Sequence, residues 1–226
     1  MVGIEALPVD RELYADVFDK GGLAPALEEA AQRRSIDLGP ISADGYHQYW
    51  TVGIESNRGT VRVSMGAAER VFSISIATDL HQWADGSTSE LSGAVDVADA
   101  WRKGVTLREL HDRFSFMTYS RIAQAHEDGD PLEATWDELL TSEASALARP
   151  LLQAARANER LGGLSAAVSH NNLVMFFVGP GDKDQEQVRI LLGRDGTYYV
   201  TTTWNDSHQS VTSIDDAIDA AVALLP

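Results

Sequence analysis

Apolar and polar residues alternate along several short stretches of this chain, which is the pattern of strands with one buried face. In the first half the predicted strands are Tyr49–Glu55, Thr60–Met65, Val71–Thr78 and a shorter one, His81–Ala84. The turn Ser56–Gly59 joins the first two, so these two predict a hairpin. We therefore expect an antiparallel sheet in the first half of the chain.

The second half shows the same kind of pattern. Its predicted strands are Leu164–Ser169, Leu173–Val178, Val188–Gly193 and Tyr198–Trp204. Apolar residues at helical spacing flank both sets of strands. The predicted helices are Leu23–Arg34, Ala94–Arg102, one near Pro150 and one that starts at Ser213.

Part of the first set of strands is repeated in the second. Val61–Gln82 aligns without a gap with Val188–Gln209, and six of the twenty-two positions are identical, where composition alone gives about one. The identical pairs are Val61/Val188, Arg62/Arg189, Gly66/Gly193, Asp79/Asp206, His81/His208 and Gln82/Gln209. We predict an α+β protein of two duplicated units, each an antiparallel sheet of about four strands with flanking helices.

One strand does not fit this alignment. Ile74, on the apolar side of the third strand, aligns with Thr201. The apolar Val200 aligns with Ser73, on the polar side. Either the second sheet is covered on both faces, or this strand has slipped by one residue, because such a shift exchanges the two faces.

Residues 104–144 have no counterpart in the second of the two duplicated units, and their pattern predicts helices. Thr106 and Glu109 form a capping box, and Asp130 followed by Pro131 begins another helix. We therefore divide the chain into a first α+β unit (1–103), a helical insertion (104–144) and a second α+β unit (145–226).

The net charge of the chain limits the classes of molecule that it is expected to bind. There are 18 Lys and Arg residues against 34 Asp and Glu residues, a net charge of −16. This charge repels phosphate backbones and anionic lipids, so we expect neither nucleic acid nor membrane as a partner. The simplest explanation of the excess of acidic residues is that they keep the protein soluble. The more specific alternative is that they bind a basic protein partner.

Cysteine is absent, which excludes disulfides and thiolate chemistry. The first residues lack the basic start and apolar run of a secretory signal, and no apolar stretch reaches the ~20 residues that span a bilayer. We expect a cytoplasmic protein.

The middle of the chain resembles an actinobacterial family of unknown function that is labelled as natural-product biosynthesis proteins. The resemblance covers about Leu23 to Leu140. The residues that carry it are Ala100, Trp101, Gly104, Leu107, Leu110, Phe114, Phe116, Ala125, Gly129, Trp136 and Leu140. Most are core positions, so the resemblance implies an association with secondary-metabolite gene clusters and brings no activity or catalytic residue.

Sequence motifs of common enzyme classes are absent, including the nucleophile elbow, the phosphate loop and H-E-x-x-H. The one repeated constellation is Asp-x-His-Gln, at Asp79/His81 and Asp206/His208. An Asp beside a His can orient the imidazole for acid-base work, and two such pairs could ligate a metal if the units face each other. The simpler interpretation, which we favour, is a turn in which Asp caps the backbone and His is a solvated loop residue.

Aromatic residues give a second set of candidates. They cluster before the first strand and beside the two Asp-x-His-Gln sequences, where they could line a pocket for a flat or apolar metabolite. The candidates are Tyr46, His47, Tyr49, Trp50, Trp83 and Trp204. Core packing is the alternative explanation of the same residues.

These patterns favour a non-catalytic accessory or binding protein of a natural-product cluster, which binds a metabolite or a pathway protein. One alternative is a pathway enzyme that uses the Asp/His pairs as acid-base groups. Another is an immunity or chaperone-like protein with an acidic face for a basic partner. No cofactor or metal site is predicted, and the sequence leaves the oligomeric state open.

Overall fold

The fold is taken from a computed structural model. It describes residues 9–43, 50–78, 81–169, 172–176, 186–204 and 207–226. By its internal contacts the chain divides into two compact units, Met1–Glu127 and Asp128–Pro226. Each unit has its own hydrophobic core.

The first unit is built on a six-stranded antiparallel sheet whose strands follow chain order, β1 to β6. The strands are β1 Ile41–Ser42, β2 Thr51–Ser56, β3 Gly59–Met65, β4 Phe72–Ala77, β5 Gln82–Thr88 and β6 Met117–Thr118. The helices are α1 Ala15–Phe18, α2 Leu23–Arg33, α3 Leu91–Arg102, α4 Leu107–Arg113 and α5 Arg121–Asp128.

Helices α2 and α3 pack against one face of this sheet. The alternating residues of the strands explain why: Val61 and Val63 of β3 and Ile74 and Ile76 of β4 are almost fully buried. Each such side chain stabilises the fold by about 1.5–3 kcal/mol when it leaves water. The opposite face carries the intervening polar residues.

The second unit contains a five-stranded antiparallel sheet, also in chain order. Its strands are β7 Ser165–Ser169, β8 Asn172–Phe176, β9 Gln187–Leu192, β10 Tyr198–Thr202 and β11 His208–Val211. Its helices are α6 Pro131–Thr141, a 3₁₀ helix Glu143–Ala148, α7 Arg149–Ala157, α8 Glu159–Gly162 and α9 Ile214–Leu224. Helix α9 packs on β9, β10 and β11.

The two units share one order of elements. In each, a helix that carries a proline in its first turn, α2 or α7, comes before five consecutive antiparallel strands, and a helix, α3 or α9, follows them. The fold is α+β with two antiparallel sheets, as predicted. The repeated segment falls on matching strands: β3 corresponds to β9 and β4 corresponds to β10.

The register explains the one strand that did not fit the repeat. Six residues separate Met65 from its partner Phe72, whereas five separate Leu192 from its partner Tyr198. The shorter turn moves β10 by one residue, and Val200 becomes fully buried. Of the two explanations that the sequence left open, slippage is the one that the structure shows.

Both sheets have more strands than the four predicted. The additional strands are β1, β6 and β11, and β5 extends to Thr88, four residues beyond the predicted end. Two-residue strands such as β1 and β6 have no alternation to detect. Strand β5 contains Asp85 and Gly86, residues that are uncommon in strands, so its neighbours β4 and β6 determine its structure.

Residues 104–144, predicted as a helical insertion, are distributed over both units. They contribute α4, β6 and most of α5 to the first unit and α6 to the second. The predicted capping box of α4 is confirmed: Glu109 N donates to Thr106 Oγ1 at 3.2 Å, and Thr106 N donates to the Glu109 carboxylate at 2.9 Å.

A helix was also predicted to start at Ser213. There Asp216 N donates to Ser213 Oγ at 3.1 Å, and this bond caps the start of α9. None of the helices in the described part of the chain combines the length and the apolar character that crossing a bilayer requires.

Candidate functional site

The open face of the first sheet, opposite α2 and α3, is lined by small and polar side chains. The strand register places one row of residues across all six strands: Ser42, Gly53, Arg62, Ser75, Asp85 and Thr118. Neighbouring rows add hydroxyl groups from Thr51, Ser64 and Ser73. Because all these positions alternate with buried ones, the pattern that builds the core also builds this polar face.

A cleft of about 480 Å³ opens on this face over β1, β2 and β3. It is lined by Ser42, Thr51, Val52, Gly53, Glu55, Thr60 and Arg62. A smaller recess of about 200 Å³ lies beside it and shares Thr60 and Arg62 with it. Arg62 therefore borders both recesses.

Hydrogen bonds hold most of the polar groups of the cleft in place. Ser42 Oγ donates to Gly53 O at 3.2 Å, and Thr60 Oγ1 donates to the Glu55 carboxylate at 3.0 Å. On the next row Thr51 Oγ1 donates to Ser64 Oγ at 3.1 Å. The walls are therefore ordered before any ligand arrives.

Arg62 differs from the groups around it. Its side chain is exposed, and it makes no hydrogen bond or ion pair with any residue in the described part of the chain. A guanidinium group has five N–H donors, so Arg62 offers the cleft a cation with unused donors.

The floor of the cleft depends on a glycine. A Cβ atom at Gly53 would lie 2.8 Å from Ser42 Oγ and 3.1 Å from Thr60 Cγ2. A larger residue at position 53 would therefore push into the cleft or displace its walls. The missing side chain at this position of β2 therefore lets the side chains of Ser42 and Thr60 lie close to the strand.

A second cluster contains two of the residues that the sequence singled out, His81 and Trp83. The ring centroids of these two side chains are 4.5 Å apart in an edge-to-face arrangement, and the His126 ring of α5 lies 4.2 Å from that of His81. Burial lowers the pKa of His81 to about 4, and the neighbouring His126 adds to the effect. Burial also lowers the pKa of His126. Both imidazoles are therefore neutral near pH 7.

Arg58 connects this aromatic cluster to the rest of the unit. Its guanidinium carbon lies 3.8 Å from the ring centroid of Trp101 and 5.5 Å from that of Trp83. It donates to Val105 O at 2.7 Å and forms an ion pair with Glu127. The same Glu127 carboxylate accepts from Leu107 N at 2.9 Å, at the start of α4.

Three ring nitrogens of the cluster are buried without a hydrogen-bond partner: His81 Nε2, Trp83 Nε1 and Trp101 Nε1. The unpaired His81 Nε2 belongs to a neutral imidazole. The charged residues of the cluster, Arg58 and Glu127, are paired with each other. The contacts of this cluster join β5, α3 and α5.

The structure also describes three other sequence candidates, Trp50, Trp204 and His208. Trp50 is half-buried before β2, and its carbonyl accepts from Met65 N at 2.8 Å. In the second unit Trp204 is half-buried beside the core, and His208 is the exposed first residue of β11. Outside the described residues lie Asp79, Asp206, Tyr46, His47 and Tyr49. The acid-base role of the Asp/His pairs stays a prediction.

His81 and His208 occupy different positions in their sheets, although the sequence aligns them. His208 pairs with Thr201 in β10, and the counterpart of Thr201 in β4 is Ser75, whose partner is Asp85. His81 instead precedes β5, where its carbonyl accepts from Thr78 N at 2.8 Å. The counterpart of His208 in the first unit is therefore Asp85.

Sequence reasoning missed Arg62, Arg58 and His126. For Arg62 a signal existed: it is one of the identical pairs of the repeat, with Arg189, and it stands at an outward position of a central strand. Arg58 and His126 are 68 positions apart and have no local pattern. In the described residues no group of three or more His, Asp or Glu side chains is arranged to hold a metal ion.

The second unit is similar to a known protein family. Residues 130–226 match the model of a family of unknown function, DUF6193. This region begins within the last part of the stretch that carried the resemblance, and it extends to the final residue. No curated protein and no solved structure matches the chain. Similarity to a family of unknown function is thus confirmed for residues 130–226, and the actinobacterial and natural-product terms stay predictions.

Proposed function

We propose that this protein is a non-catalytic binding protein that takes a small, polar, anionic metabolite into the cleft around Arg62. The observation that carries the proposal is an exposed guanidinium, without a partner among the described residues, at the border of two recesses. A carboxylate or a phosphate satisfies such a group through two parallel hydrogen bonds.

The size and lining of the cleft indicate the kind of ligand. A volume of about 480 Å³ is within the range of about 300–1,000 Å³ that small-molecule sites have. Among the described residues, hydroxyl groups, backbone and two charged side chains line it, and Val52 is its one large apolar residue. A hydroxylated or zwitterionic molecule fits this lining better than a flat apolar one.

The charges of the cleft suggest how that molecule is oriented. Arg62 and Glu55 both line it, and they belong to the neighbouring strands β3 and β2. An anionic group would bind at Arg62, and an ammonium or hydroxyl group would bind at Glu55. Since the chain as a whole carries −16, attraction of the anion depends on this local cation and weakens as salt rises.

Calorimetry and thermal shift with a panel of amino acids, hydroxy acids and sugar phosphates test the proposal. We expect saturable binding of at least one panel member without turnover, and loss of that binding in Arg62→Gln. Arg189→Gln is the matched control, because Arg189 occupies the corresponding outward position of β9 but is hydrogen-bonded to Gln187 Oε1 at 2.7 Å. No shift across the panel, or equal loss in both variants, contradicts the proposal.

The association with natural-product biosynthesis belongs to the same proposal. It is supported by the resemblance of the central residues and makes pathway intermediates the first ligands to add to the panel. The neighbouring genes test this association. If they encode no biosynthetic enzymes, the association with natural-product biosynthesis is contradicted, and the binding site is tested separately with the ligand panel.

A further inference from the structure

The four outer edges of the two sheets are protected to different degrees. In the first unit the edge strands β1 and β6 have only two residues each. In the second unit α6 packs on β7, and Trp136 Nε1 donates to Leu164 O at 3.1 Å, just before that strand begins. The remaining edge is β11, with four residues.

The first unit shows how such an edge is completed. Strand β5, the counterpart of β11, pairs with β6 through Asp85–Thr118 and Gly86–Met117. Among the described residues, no strand occupies the corresponding position beside β11. In its described residues the second unit thus has no counterpart of β6, the sixth strand of the first sheet.

The sequence of β11 does not discourage pairing. Sheet edges are commonly protected by charged residues, proline or bulges, which prevent the addition of a foreign strand. The segment 207–212 reads Ser-His-Gln-Ser-Val-Thr and has no Lys, Arg, Asp, Glu or Pro. Its residues His208, Gln209 and Ser210 are exposed.

The charge around this edge indicates what kind of strand fits. Residues 194–226 contain five aspartates and one basic residue, Arg194. Two of them, Asp215 and Asp216, lie in the first turn of α9, shortly after β11 ends. A second copy of the chain would bring two acidic segments together, whereas a strand with lysine or arginine would reduce the repulsion.

The residue types along β11 further define the incoming strand. In the first unit the bare backbone of Gly86 accommodates Met117, because a Cβ at Gly86 would lie 2.7 Å from Met117 Sδ. By register the counterpart of Gly86 is Gln209. An amide side chain therefore stands where the first unit receives an apolar one, and polar residues suit the added strand.

We infer that the outer edge of β11 binds an extended, basic and largely polar segment of a partner protein, which becomes the sixth strand of the second sheet. Main-chain hydrogen bonds provide the affinity and the acidic surroundings select for lysine or arginine. This site is independent of the cleft around Arg62.

The probe is a labelled ten-residue peptide of alternating lysine and threonine, with alternating glutamate and threonine as its counterpart. We expect saturable binding of the basic peptide by fluorescence anisotropy and none of the acidic one. Hydrogen exchange should show new protection of the amides of His208–Val211 in the complex.

Two substitutions separate strand addition from general attraction to an acidic protein. Ser210→Lys places a positive charge on the edge, and Gln153→Lys makes the same change in net charge on the exposed face of α7. We expect Ser210→Lys to weaken binding about tenfold or more, which corresponds to about 1.4 kcal/mol, and Gln153→Lys to change it less than about twofold.

Several results would overturn the inference. Equal weakening by both substitutions would show non-specific electrostatic binding, and protection away from His208–Val211 would place the peptide elsewhere. A lack of binding by the basic peptide would also contradict it. A dimer in sedimentation equilibrium that Ser210→Lys dissociates would show that a second copy occupies the edge.

Discussion

The imidazole rings of His81 and His126 lie 4.2 Å apart, between centroids, in a cluster that also contains Trp83. Burial makes the charged form of each ring unfavourable, and a charge on one ring disfavours a charge on the other. The fold of the first unit is therefore linked to the protonation of two residues 45 positions apart.

This pair predicts a loss of stability in mild acid. The unfolded chain binds protons at both histidines near pH 6.5, whereas the pKa of His81 in the folded protein is about 4. The unfolded state thus binds more protons than the folded state in this range. The contribution of the neutral histidines to the free energy of unfolding is therefore fully present above about pH 6.5 and is lost as the pH decreases towards 4. Urea titrations between pH 7.5 and pH 4.5 measure it.

The slope of stability against pH identifies the cause. In His81→Gln we expect a shallower slope between about pH 6.5 and pH 4.5, whatever the absolute stability of the variant. The carboxyl groups whose pKa folding lowers, such as Asp16 and Glu109, contribute to the slope only at the acid end of this window and do so in both proteins, so the difference between the two slopes reports on His81. An unchanged slope in His81→Gln would assign the acid sensitivity to other groups.

Arg58 is expected to stabilise the first unit more than an ordinary surface cation does. It contacts the Trp101 ring and forms an ion pair with Glu127, in which the two side chains are 28% and 14% exposed. Because exposed pairs contribute about 0.2–1 kcal/mol and breaking buried ones costs about 3–5 kcal/mol, Arg58→Ala should lower the free energy of unfolding by about 2 kcal/mol.

Lys103→Ala is the control for this substitution. Lys103 forms an ion pair with Asp99 at 2.7 Å on one face of α3, and the lysine side chain is 69% exposed. Its removal should cost about 0.3–0.5 kcal/mol in a urea titration. Equal effects of the two substitutions would show that the contacts of Arg58 with the tryptophans add nothing.

The pairing of β5 with β6 requires a glycine at position 86. A Cβ there would lie 2.3 Å from Phe116 O, which is backbone and cannot move without displacing β6. Gly86→Val should therefore destabilise the protein by about 1–3 kcal/mol. Ser87→Val adds the same residue at the exposed neighbouring position and should remain within about 0.5 kcal/mol of the native protein. Chemical denaturation that ranks the two variants equally would contradict the close approach.

The register of β10 can be tested with two adjacent residues. Val200 is fully buried and Tyr199 is 40% exposed. Val200→Ala should therefore cost about 2 kcal/mol through the lost burial and the cavity that it leaves. Tyr199→Ala should cost less than about 1 kcal/mol. The opposite order, measured by urea denaturation, would restore the register that the ungapped sequence alignment implies.

The sequence predicts the parts of this fold that depend on local patterns. Alternation identifies β3 and β4 almost to the residue, and the caps at Thr106 and Ser213 begin α4 and α9 as predicted. These signals are local because a strand or a cap is determined by residues within a few positions of each other.

Long-range pairing accounts for what the sequence did not predict. Strand β6 is too short for a pattern and forms because β5 offers it an edge. The cluster of Arg58, His81 and His126 comes from three separate elements, so no spacing in the chain predicts it. Arg62 was visible as an identical position of the repeat, but only the strand register shows that it faces a cleft.

The turn between β9 and β10 is one residue shorter than the turn between β3 and β4. After this turn, residues that are aligned in sequence do not occupy equivalent positions in the two sheets. Beyond Gly193, two residues that are identical in the alignment occupy different positions in the two sheets: His208 corresponds to Asp85, and Gln209 corresponds to Gly86. The identity of these residues in the two halves therefore does not indicate a common function. A structure-based alignment of the two halves should therefore place His81 and His208 in different columns.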